Sequence, residues 1–187
     1  MGGNQVYRYL LFLTLLFVAI PAISFYRLPE YKPDPFISHW HKTERLFKRY
    51  QPKATVEETY QFSRASFYGV WGHSALLPLV ASISCREGGF ATKSAMGRMG
   101  GHKATILAGS KRLDGPITDK VARWAWLKKR PDHMVACLCA QFAFLYNRLG
   151  EEHAIRGWVK GENWRCEDAK KYYIDVQIMK RFYEGGQ

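Results

Sequence analysis

Acid is scarce in this chain. Its 187 residues hold 16 Asp and Glu against 28 Lys and Arg, a formal charge of +12, which implies an anionic partner: nucleic acid, phospholipid headgroups or an acidic cell-wall polymer. Cysteine is scarce too. Cys85, Cys137, Cys139 and Cys166 are too few for a disulfide-built fold, and a chain of this length does not need one. Two bridges are the most they allow, and Cys137 and Cys139 face different directions if they share a helix. His133, Cys137, Cys139 and Cys166 match no zinc spacing, so neither metal nor cofactor is assigned. Runs of alternating apolar and polar residues are missing, which removes a sheet protein. The glycine-rich stretch from Gly97 to Lys103 lacks both the preceding strand and the Gly-Lys-Ser/Thr ending of a phosphate loop. The length excludes two catalytic domains but allows one of about 140 residues behind a short leader.

The stretch that organises the rest runs from Ser74 to Gly100. Leu76, Leu79, Val80 and Ile83 recur at helical spacing, and Glu87 follows four residues beyond Ile83 on the same face. Gly88 and Gly89 then stop the helix, which puts the Glu87 carboxylate in its last turn. Apolar surroundings and the negative end of the helix dipole both disfavour ionisation there. A protonated carboxylic acid is what a general acid needs to donate to a glycosidic oxygen. The plainer reading is a surface acid at a helix end.

Arg8 and Arg27 bracket 18 uncharged residues, Tyr9 to Tyr26, which include the run LLFLTLLFVAI. At about 1.5 Å per residue this just crosses a bilayer. It equally fits a secretory signal, with a helix-breaking Pro21 and a small-x-small site at Ala22-Ile23-Ser24. Either reading carries the remainder to the periplasmic side of an inner membrane, where the cysteines can oxidise. Residues 28–54 hold prolines, many charges and one brief amphipathic pattern around Trp40 to Tyr50, and read as a basic linker. His39 and His41 are expected to be solvent-exposed, without a role. Trp40, Leu46 and Phe47 lie on a membrane surface or against the domain.

The globular part is expected over 55–187. Thr55 to Glu58 forms a capping-box start, and helices are predicted over 117–126, over 133–148 as the central buried one, over 151–159 and over 167–182. Gly88 to Gly115 reads as loop and short turns over a cleft, with a small β-hairpin. The fold class is therefore all-α.

In these residues the chain resembles the lysozyme-like lytic transglycosylases of the soluble-transglycosylase type. That family carries an apolar helix ending in Glu-Ser-Gly-Phe, where this chain has Glu87-Gly88-Gly89-Phe90. Its next motif, Gly-Ala-Met-Gly-Leu-Met-Gln, is matched by Ser94-Ala95-Met96-Gly97-Arg98-Met99-Gly100. Its Ala-Tyr-Asn-Ala-Gly is echoed by Gly157-Trp158-Val159-Lys160-Gly161, and its final Tyr, followed four residues later by Val, by Tyr172 and Val176. The departures are Gly88 for the Ser that supports the acid, Gly100 for a Gln that faces the cleft, and Trp158-Val159 for Tyr-Asn, which removes a hydroxyl and an amide.

The resemblance implies a goose-type lysozyme-like domain that cleaves the MurNAc-GlcNAc β-1,4 bond of peptidoglycan. Glu87 is then the catalytic residue, first as acid toward the leaving oxygen and then as base toward the substrate's own C6 hydroxyl, which leaves a 1,6-anhydro end. Ser94, Met99, Gly100, Trp158 and Tyr172 are the implied substrate contacts; core packing is the plainer role for Met99, Trp158 and Tyr172. No other acid falls between Glu87 and Asp114, which suits a mechanism that needs no second carboxylate. Arg86 or Lys93, if close in space to Glu87, opposes the role. The fitting setting is local wall opening by a secretion or conjugation apparatus, or by a phage. A catalytically inactive wall-binding component of an envelope complex is the alternative that the departures allow. A third reading, a nucleic-acid binder using Trp124, Trp126 and Trp164, conflicts with the export signal.

Overall fold

Helix boundaries follow caps written into the sequence. The computed structural model describes residues 34–71, 73–88 and 102–185; no strand occurs among them. Asp34 accepts hydrogen bonds from the amides of Phe36, at 2.7 Å, and Ile37, and starts α1 (Pro35–Tyr50) with Pro35 in its first turn. Thr55 and Glu58 close the expected capping box on α2 (Val56–Gly69). A 3-10 turn, Ser74–Leu76, leads into α3 (Leu77–Arg86), whose Pro78 sits in the first turn where its missing N–H costs nothing. Then come α4 (Lys103–Asp114), α5 (Lys120–Lys128), α6 (Pro131–Leu149), α7 (Glu151–Lys160) and α8 (Glu167–Glu184).

The all-α class holds. Two boundaries differ from expectation for local reasons: α5 starts at Lys120 because Asp119 caps it, and α6 starts at Pro131, which leaves Asp132 inside its first turn. The larger difference lies between Gly88 and Gly115, expected as loop and turns with a hairpin. Residues 103–114 are a helix, and residues 89–101 lie outside the described part, as do 1–33 with the apolar Tyr9 to Tyr26 segment.

The core gathers around α6, whose Val135, Cys137, Leu138, Cys139 and Phe142 are fully buried. Helices α2, α4, α5 and α7 pack around it, while α3 packs against α8, α1 and α2. Two glycines set the closest approaches. A Cβ on Gly69 of α2 would stand 2.4 Å from the Ala136 carbonyl oxygen, and one on Gly109 of α4 would stand 1.8 Å from the Cys137 carbonyl oxygen. Gly109 is therefore a contact point between two helices and not a break in the chain. All four cysteines are free, three of them buried.

The expected linker needs correction. The described residues from Asp34 onward form one compact unit, and α1 contributes Leu46 and Phe47 to its core, both nearly inaccessible. His39, expected to be exposed, is buried where α1, α2 and α8 meet. Its Nε2 lies 2.9 Å from Ser66 Oγ and its Nδ1 2.6 Å from Tyr183 Oη. Ser66 donates its own proton to the Ser63 carbonyl, so Nε2–H donates to Ser66 and the Tyr183 hydroxyl donates to Nδ1. Burial, with Lys42 adding repulsion, holds the imidazole down to a pKa of about 3.

Three outcomes follow. Gly109→Ala should destabilise the fold by about 1–3 kcal/mol through overpacking. Gly157→Ala, on α7 with nothing near its missing Cβ, should be neutral or gain about 0.5–1 kcal/mol; thermal melts of the two variants check both. His39 stays neutral in the fold but protonates in the unfolded chain below about pH 6.5. Stability is therefore complete above that pH and should be lost as pH falls toward 3, by at most about 1.4 kcal/mol per unit. Urea titrations across this range should show a shallower slope for His39→Gln.

Candidate active site

Glu87 is placed by the way α3 ends. Its amide still donates to the Ile83 carbonyl at 2.9 Å, and Gly88 then takes a φ of 87° that turns the chain out of the helix. The carboxylate leaves this last turn half-buried. Because α8 packs along α3, its Asp168, Lys171 and Tyr172 face the same space. With Arg86, Val159 and Lys160 they line an open cleft of about 530 Å³ around Glu87.

Tyr172 is the implied contact that the structure brings to Glu87; the neighbouring Tyr173 does not line the cleft. Tyr172 is only 5% exposed, and its hydroxyl stops short of a full hydrogen bond to any described group. Burial and then the nearby Glu87 carboxylate hold the phenol well above its usual range, with Arg86 opposing. At neutral pH it keeps its proton, and the Glu87 carboxylate is the acceptor it faces.

Trp158 is placed differently. It meets Phe142 edge to face at 5.6 Å, and its neighbours Val159 and Lys160 line the cleft in its place. Core packing describes it better than substrate contact. Ser94, Met99 and Gly100, with Lys93, lie outside the described residues.

The lining is charged, where an apolar pocket was expected, because α8 turns a polar face toward the end of α3. Arg86 pairs with Asp175 at 2.8 Å and rests over the Tyr172 ring, 5.5 Å from its centroid. Lys160 pairs with Asp168 at 3.2 Å. Lys171 has no ion partner among the described residues and is exposed, free to meet an anion. Asp168 is the functional candidate that sequence reading missed. Its signal was its place one helical turn before Tyr172, on the same face.

Neither a family model, a curated protein nor a solved structure matches this chain.

The phenol beside Glu87 makes a testable demand. Tyr172→Phe should leave the melting temperature nearly unchanged, because the hydroxyl makes no full hydrogen bond. If the hydroxyl serves Glu87 or a substrate, the same variant should cleave its substrate about tenfold or more slowly.

Proposed function

We propose that this protein is a peptidoglycan lytic transglycosylase with a lysozyme-like, goose-type domain. The observation that carries the reading is the meeting of Glu87 and Tyr172 in one open cleft. They belong to the first and last motifs of the resemblance, contributed by helices far apart in the chain, and the Tyr172 hydroxyl faces the Glu87 carboxylate.

In this reading Glu87 protonates the glycosidic oxygen between MurNAc and GlcNAc as that bond breaks. The resulting carboxylate then accepts the proton of the sugar's C6 hydroxyl as that oxygen closes on C1. The product is a 1,6-anhydro end, and no water is consumed. Tyr172 donates a hydrogen bond to the carboxylate or to a sugar oxygen as charge moves between them. Lys171 meets the carboxylates of the peptide stems, and the overall positive charge favours an anionic wall polymer. No metal or cofactor takes part. The working place is the periplasmic side of the inner membrane, reached through Tyr9 to Tyr26 as anchor or cleaved signal, for local wall opening by a secretion, conjugation or phage system. Among the described residues no helix is long and apolar enough to cross a membrane.

Asp168 favours a second reading. A second carboxylate in the cleft offers the base that hydrolytic glycosidases use to activate water, although Lys160 holds it in an ion pair. Digestion of purified sacculi separates the readings. Anhydro-muropeptides that disappear with Glu87→Gln and persist with Asp168→Asn support the transglycosylase. Reducing ends that need both carboxylates establish hydrolysis instead. Wall binding with no release of fragments by the native chain marks a catalytically inactive wall-binding component.

A further inference from the structure

Away from the Glu87 cleft, three side chains converge that the chemistry above does not use. His133 and Cys137 stand one turn apart on the same face of α6, and Asp114 ends α4, which Gly109 lets lie directly on α6. One ligand atom from each of the three lies within 4.8 Å of the others. His133 Nε2 is 3.0 Å from Asp114 Oδ1 and 2.8 Å from Oδ2.

We propose that Asp114, His133 and Cys137 form a binding site for a zinc-type divalent transition metal, with a fourth position left to water. Tetrahedral zinc, with bonds of about 2.0–2.3 Å, sets its ligands about 3.3–3.7 Å apart. The trio needs only small rotations to reach that. One nitrogen, one oxygen and one sulfur suit a borderline-soft ion and argue against calcium or magnesium, which take oxygen ligands. The Cys137 thiol is fully buried at the inner end, while the His133 and Asp114 side chains are 21% and 19% accessible and give the ion its way in.

The surroundings behave as outer support. Ser110 and Arg123 both bond Asp114 through Oδ2, and among the described residues it is His133 that bonds Oδ1. Trp126 packs edge-on against the His133 ring, 5.0 Å between centroids, and limits its rotation. Metal uptake breaks the S–H bond, passes that proton to solvent and leaves the neutral imidazole carrying its hydrogen on Nδ1, so that Nε2 offers its lone pair. The site shares no residue with the Glu87 cleft.

The full chain, stripped with a chelator and titrated with Co2+, should develop a thiolate-to-cobalt charge-transfer band that saturates at one ion per chain and is displaced by Zn2+. Cys137→Ser and His133→Gln should abolish the band, while Cys166→Ser, which removes the exposed thiol, and Glu87→Gln should leave it intact. On the native chain Zn2+ should also raise the melting temperature and release about one proton per ion bound, a readout that does not depend on any variant folding. Absence of the band and of the melting shift in the native chain overturns the proposal. So does a band that survives Cys137→Ser.

Discussion

Everything in the fold answers to α6. A nineteen-residue helix whose buried side chains point in several directions cannot rest on one neighbour, since any uncovered side would leave apolar surface in water. Four helices cover it, and two do so at backbone distance because a side chain is missing where they cross. At that range packing is tight and unforgiving, and a side chain at either crossing would push the helices apart. Asp114 reaches the face of α6 for this reason and no other.

The second layer is more polar. Helices α3 and α8 meet along an apolar seam, with Leu79, Val80 and Ile83 on one side and Tyr172 and Val176 on the other, but their ends open into charge. Arg86 and Asp175 pin the two helices together beside Glu87. Such a half-exposed pair adds little stability by itself; its effect is geometric, since it gives the guanidinium a partner on α8 and seats it on the Tyr172 ring. The acid thus stands at the mouth of a packed seam, where its position is firm and solvent still reaches it.

Periodicity alone revealed much of this. The all-α class, the capping box at Thr55 and the central place of α6 were all readable, because local spacing and caps dominate in those segments. Glycine misled. In Gly109 the missing side chain serves a neighbouring helix, and nothing within its own segment announces that. His39 was misjudged because a run of charges around it reads as solvated, while its partners, Ser66 and Tyr183, lie on two other helices. Asp168 and Asp114 escaped for the same reason: each gains its meaning from a residue distant in the chain. The pairing of Glu87 with Tyr172 was legible only through the order of weak motifs, and Trp158, chosen on the same ground, packs half-buried against the core.

The imidazole knot at His39 also decides where this molecule can be divided. Cutting before Thr55, where composition suggests the globular part begins, would strip Leu46 and Phe47 from the centre and leave the Ser66 and Tyr183 hydroxyls without their shared partner. The self-sufficient piece therefore begins with the aspartate that caps α1, and that amphipathic segment is the keystone of the domain.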